Sequence, residues 1–215
     1  MNKHYIDDLF LLHYSDGIKD EEFSNKGNRH IKNYQASEKA QTLDLEELLE
    51  ENSYSINYCC DFITKLVTMS TIISVFEKVA FKNYLSDYKV RPLFLKSLYE
   101  VITNNNEETF NNFVYTLSLK KKEKNSNPCK WPLITYLLVV FHPYDEVFIK
   151  PTTIKRILTI FDSDISYTST PNYETYHGIR SLLLDYKKHS SIAKKVDNFT
   201  LSGILFVASQ NDLIN

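Results

Sequence analysis

The chain has 215 residues, 43% hydrophobic and 24% charged, with a net charge of -2. That length buries a substantial core without staples, and the composition is that of a globular protein. Four glycines are few for the turns and bulges of a sheet protein, which favours helices. The expectation is an all-α fold: an irregular multi-helix bundle around a buried central helix, with at most a minor short strand pair.

The charge is unevenly spread. Residues 1–53 hold twelve acids and six bases, and residues 54–215 hold nineteen bases and fifteen acids. This contrast predicts an acidic N-terminal segment over 1–53, partly helical or mobile, ahead of a helical-bundle core domain over 54–215. The surplus on the second part is too small to imply nucleic acid without clustering. Cys59 and Cys60 are adjacent, Cys129 is alone, and no C-x-x-C pair exists, so no zinc site is indicated. The odd thiol count and the lack of a charged, apolar leader predict a cytoplasmic protein. The longest apolar run, Leu133 to Phe141, is too short to span a bilayer, so no membrane partner is expected.

In chain order, Tyr5, Leu9 and Leu12 share one face of a first helix, which Ser15-Asp16-Gly17 ends. Residues 18–41 read as a loop or weak helices. Asp44 and Glu47 have capping-box spacing before a short acidic helix. Ile56, Cys59, Cys60, Ile63 and Leu66 recur at helical spacing. Ser70 or Thr71 is placed to cap the next helix, on which Ile72, Val75, Phe76, Val79 and Leu85 are expected to be buried. Pro92 suits the first turn of a helix to Thr103, with Leu93, Leu95, Leu98 and Val101 apolar.

Asn105 with Glu108 forms a capping pair before Phe110, Phe113, Val114 and Leu117. Residues 119–130 read as a solvated loop. Trp131-Pro132 opens a helix, apolar on nearly all sides, that His142-Pro143 stops. Pro151 opens the next, with Ile154, Ile157, Leu158 and Phe161 facing inward. Residues 166–170 fit a short strand or extended loop. Pro171-Asn172 starts a helix burying Tyr176, Ile179, Leu182 and Leu183, and residues 199–208 fit either a helix or a strand.

Several of these stretches carry a resemblance. They are S-V-F-E-K-V-A-F-K-N-Y-L (74–85), R-P-L-F-L-K-S-L-Y-E (91–100), W-P-L-I-T-Y-L-L (131–138), H-P-Y-D-E-V-F-I-K-P-T-T (142–153) and P-N-Y-E-T-Y (171–176). Through them residues 74–208 resemble a helical module of uncharacterised bacterial defence-locus proteins. The stretch is also similar to modules that accompany McrB-type AAA+ restriction ATPases. The resemblance implies a helical fold, a defence context, and an ATPase or nuclease subunit as partner. It implies no reaction. The chain has no Walker A loop, and residues 1–53 lie outside the resemblance.

The candidate chemistry is sparse. Lys150, Thr152, Thr153, Lys155 and Arg156 gather hydroxyls and charge at a helix N-terminus, where free N–H groups suit a phosphate. The same residues also read as an ordinary helix start with a solvated basic face. Lys120, Lys121, Lys122 and Lys124 form the densest basic run. It reads as a solvated loop, or as a contact for nucleic-acid backbone if folding gathers it with other bases. Lys187, Lys188, Lys194 and Lys195 form a second run.

Glu146 and Lys150 are four apart, unlike the acid-x-Lys step of a PD-(D/E)xK core. The six His form no H-x-x-x-H pair, so no metal ligand set and no cofactor is expected. Trp131 is expected to be a structural anchor.

Two functional readings follow. One is a non-enzymatic accessory or interaction module of a defence or restriction system, binding partner protein and nucleic-acid backbone. The other is a metal-dependent nuclease or other effector that assembles Asp145, Glu146, Asp162 and Asp164. A third reading has residues 1–53 dock a partner or cover the basic body.

Overall fold

The computed structural model describes residues 5–26, 28–50, 53–119 and 127–211. Twelve α-helices and no strand occur among them. They are α1 Tyr5–Leu11, α2 Glu21–Lys26, α3 Asn28–Ala40, α4 Leu45–Glu50, α5 Ser53–Met69 and α6 Val75–Leu85. Then come α7 Arg91–Thr103, α8 Glu107–Ser118, α9 Trp131–Phe141, α10 Pro151–Ile160, α11 Tyr173–His189 and α12 Asn198–Asn211. Residues 166–170 belong to an irregular segment, and residues 199–208 fall within α12.

The apolar run of α9 decides where this helix goes. Trp131 and every residue from Leu133 to Phe141 are buried. A helix apolar all round has no face for water, so other helices must surround it. It packs against α3 and α7. Each large side chain withdrawn in this way contributes about 1.5–3 kcal/mol before entropy is counted. The few polar atoms are satisfied in place. Thr135 Oγ1 donates to Trp131 O at 2.7 Å and accepts from Ile149 N at 2.9 Å. Tyr136 OH donates to Leu66 O of α5 at 3.2 Å, and Ser37 Oγ of α3 donates to Val140 O at 2.6 Å. The lone indole is an anchor: Trp131 is buried, and its Nε1 donates to Thr168 O at 2.8 Å.

The first helices share this core. Ile6, Leu9, Phe10, Phe23, Ala36, Ala40 and Leu45 belong to the same buried cluster as α9, and α1 lies on α12. The buried face of α1 is Ile6, Leu9 and Phe10, whereas Tyr5 and Leu12 are exposed. Gly17 turns the chain after α1 with φ 64°, a conformation that costs glycine little. Asp7 is buried as well, and four groups near the C-terminus of α11 satisfy it. Tyr186 OH and Ser190 Oγ donate to its Oδ1, each at 2.7 Å. Ser191 N and Ser191 Oγ donate to its Oδ2 at 2.7 and 2.8 Å.

Caps fall one or a few residues from where spacing places them. Ser74, not Ser70 or Thr71, caps α6 in a reciprocal box with Glu77. Ser70 instead accepts from Ile72 N and Ile73 N. Asn106 with Thr109 caps α8, rather than Asn105 with Glu108. Asp44 does accept from Glu47 N at 3.1 Å. The chain leaves α10 through Asp162 at φ 48°, with Ser163 N donating to Leu158 O and Asp162 N to Thr159 O. That pair of bonds is a Schellman stop built on aspartate instead of glycine.

The larger correction concerns α6. The face that packs inward is Ala80, Phe81, Tyr84 and Leu85. Val75, Phe76 and Val79 point to solvent, at 71%, 79% and 47% exposure. Tyr84 OH donates to Thr116 O of α8 at 2.9 Å, which fixes the helix about its axis and turns the other apolar stripe outward. On α7, Leu93 is likewise exposed while Leu95, Leu98 and Val101 are buried.

Candidate functional site

The start of α10 is the best-formed candidate. Lys150 is its N-cap, in extended conformation, and makes no side-chain capping bond. Pro151 follows at the first helical position, where its missing N–H costs nothing. The first backbone bond across this start is Ile154 N to Lys150 O at 2.9 Å. The N–H groups of Thr152 and Thr153 therefore precede the helical ladder and carry its partial positive charge. Thr152 is exposed, and Thr153 is buried to 6% exposure.

The three bases here diverge. Lys150 Nζ lies 5.1 Å from the ring centre of Phe206, and Lys155 Nζ lies 5.0 Å from that of Tyr167. Arg156 Nη1 donates to Ser209 O at 3.3 Å, tying α10 to the last turn of α12. Lys150, Thr152 and Thr153 share the helix end, while Arg156 ties α10 to α12 and Lys155 lies over a ring of the irregular segment that follows α10. Lys120, Lys121, Lys122 and Lys124 lie outside the described residues.

A cavity of about 400 Å3 opens beside Lys150 and Thr153. Its walls come from α3, α10, α12, the turn between α5 and α6, and two aromatic residues, Tyr14 and Phe23. Phe148, Ile154, Phe199 and Leu205 supply its buried apolar surface. Lys150 and Phe206, both exposed, form part of its rim. Concave, mainly apolar space with a few polar groups is the usual form of a small-molecule site. Most polar side chains around it already have partners. Asn33 Nδ2 donates to Thr71 Oγ1 at 3.0 Å, Ser70 Oγ donates to Asn33 Oδ1 at 3.1 Å, and Ser202 Oγ donates to Phe199 O at 2.7 Å.

A second polar cluster locks the segment just before α10. Glu146 is buried and receives the Tyr176 hydroxyl and Arg180 Nε, the latter at 3.1 Å. Arg180 Nε also donates to Asp145 O at 2.8 Å. Asn198 Nδ2 donates to Glu146 O at 2.7 Å, and Lys187 Nζ donates to Asn198 Oδ1 at 2.6 Å. Burial pushes the Tyr176 phenol well above its ordinary pKa, and the Glu146 charge pushes it further. Burial lowers the Lys187 pKa, against the opposing pull of Asp197 and Asp145. Glu146 is thus committed to Tyr176 and Arg180.

Among the described residues, no three His, Cys, Asp or Glu side chains form a group able to hold a metal ion. Asp145, Glu146, Asp162 and Asp164 therefore do not converge as a set. Asp162 occupies the stop of α10. His142 Nε2 lies 2.7 Å from Ile102 O, and His189 Nδ1 lies 2.8 Å from Asp185 O, so both rings have backbone partners. Among the described residues, no helix is long and apolar enough to cross a membrane.

Spacing finds Lys150, Thr152 and Thr153 because they surround a proline at a helix start. It does not find Phe206, Ser202 or Asn33. These meet α10 only through tertiary packing, and nothing local in their sequence marks them. No protein-family model matches the chain, and comparison with curated proteins and with solved structures gives no match.

Proposed function

We propose that this chain is a non-enzymatic interaction module that binds a partner protein through the outer face of α6. One observation carries the reading: α6 is apolar on two sides. Ala80, Phe81, Tyr84 and Leu85 are buried in the bundle, while Val75, Phe76 and Val79 form a second apolar stripe in water. A helix with two apolar faces is satisfied only when both are covered. Exposed apolar surface of this kind marks interaction sites. Met69, at the end of α5, is exposed too.

The resemblance of residues 74–208 supplies the context. The partner would be an AAA+ ATPase or nuclease subunit of a bacterial defence or restriction system. Stretch 74–85, which carries part of that resemblance, includes the exposed stripe. Nucleic-acid backbone is the weaker part of the proposal. Its basic residues at α10 are each turned toward a ring or a carbonyl of the fold.

The test is co-purification with the products of neighbouring genes, using the native chain and a Phe76→Glu, Val79→Glu double variant. The native chain should carry a partner, and the variant should lose it with an unchanged melting temperature. A complex that survives both substitutions would remove α6 as the contact. Gel shift at low and high salt tests the nucleic-acid part, and no shift at low salt removes it.

A further inference from the structure

The cavity beside α10 is distinct from the α6 face. Its most telling atom is Thr153 Oγ1. This side chain lines the cavity, is 6% exposed, and has no hydrogen-bond partner among the described residues. Among the described residues the one sealed side-chain atom without a partner is Asn105 Oδ1, so the Thr153 hydroxyl is reached through the cavity, by water or by a ligand. Asn33, Thr71 and Ser202 of the wall are bonded to one another or to backbone. Thr153 alone among these is left facing the space. It stands in the first turn of a ten-residue helix, where unpaired N–H groups favour negative charge.

We propose that this cavity binds a small carboxylate with an aliphatic tail. The carboxylate accepts from the Thr153 hydroxyl and pairs with Lys150 at the rim. The tail lies among Ile154, Phe199 and Leu205. The charge balance selects the head group. Among the described residues Lys150 is the one cation in the wall, and it matches one negative charge. A phosphate dianion would leave charge uncompensated against apolar walls, at high desolvation cost. The apolar remainder of the cavity selects the tail, because a small hydrophilic anion would leave that surface wet. Phe206, over which Lys150 rests, covers the aliphatic part next to the head.

The proposal is tested by methyl-resolved NMR titration of the full chain with decanoate, and with decan-1-ol as its uncharged counterpart, both below micellar concentration. Decanoate should shift the methyl resonances of Ile72, Ile154 and Leu205 saturably, and decan-1-ol should bind about tenfold more weakly or worse. Thr153→Val keeps the shape and removes the hydroxyl. It should weaken decanoate about tenfold and leave the ligand-free melting temperature no lower, because the hydroxyl bonds no other described residue. Lys150→Met should bring decanoate down to the affinity of decan-1-ol. Inorganic phosphate alone should shift none of these methyls. Equal binding of decanoate and decan-1-ol overturns the assignment of the head group. A lower ligand-free melting temperature for Thr153→Val shows that the hydroxyl serves the fold, and overturns its role in binding. Absence of methyl shifts with decanoate overturns the site itself.

Discussion

The Tyr186 hydroxyl donates to the Asp7 carboxylate at 2.7 Å, joining side chains 179 positions apart in the chain. With Ser190 and Ser191 it gives Asp7 four hydrogen bonds, which replace water at a buried charge. Asp7→Ala removes the acceptor and leaves buried donors unpaired. We expect a loss of about 3 kcal/mol, read from urea unfolding. Asp7→Asn retains one acceptor oxygen and should cost less.

The same carboxylate sets an acid limb. Burial alone would raise its pKa, but the bonds from Tyr186, Ser190 and Ser191 outweigh it and hold Asp7 below its ordinary 3.8. The unfolded chain therefore takes up this proton first as pH falls. The Asp7 contribution is complete above the unfolded pKa and is lost as pH descends through the folded one. Stability measured from pH 6 down to about 2 should fall less steeply for Asp7→Asn than for the native chain.

Tyr176→Phe deletes the hydroxyl that donates to Glu146 and accepts from Val147 N at 3.3 Å. Arg180 still pairs with Glu146, so the charge is not orphaned. A loss of about 1–2 kcal/mol in chemical denaturation is the expected result. Arg180→Met should cost more at the same site, because it strips the buried carboxylate of its cation.

Asp162 holds φ 48° at the end of α10, where a Cβ is strained and glycine is not. Asp162→Gly should raise stability by about 0.5–1 kcal/mol. A drop in melting temperature would mean that the aspartate side chain contributes something its backbone role does not explain.

All three cysteines are buried and unpaired with one another. Burial pushes the Cys59 and Cys60 thiols up to about 12, so thiolate is scarce at neutral pH. A chromogenic disulfide reagent should label native protein slowly and three thiols after denaturation. Prompt labelling of Cys59 or Cys60 would contradict the packing of α5.

How much of this was legible in the chain differs from helix to helix. The helix α9 was plain, because a segment apolar on all sides has one possible environment. The helix α6 is ambiguous in sequence because it carries two apolar stripes, and periodicity cannot say which one meets the bundle. Tyr84 decides it through a bond to α8, and that partner is distant in sequence. The caps failed for a smaller reason. Asn104, Asn105 and Asn106 are equal candidates until backbone angles choose among them, as are Ser70, Thr71 and Ser74. At the candidate site the proline and threonines announced a helix start. That Thr153 lacks a partner is visible only once α12 is in place.

The seating of α1 against α12 has a consequence for biosynthesis. The ribosome makes α1 before its seat on α12, roughly 10–40 s apart at ordinary elongation rates. Throughout that interval Ile6, Leu9 and Phe10 lack the cover that α12 supplies, and Asp7 keeps its hydration. Helix α1 must therefore wait for α12 before it can dock, and its docking is a late step in the assembly of the bundle.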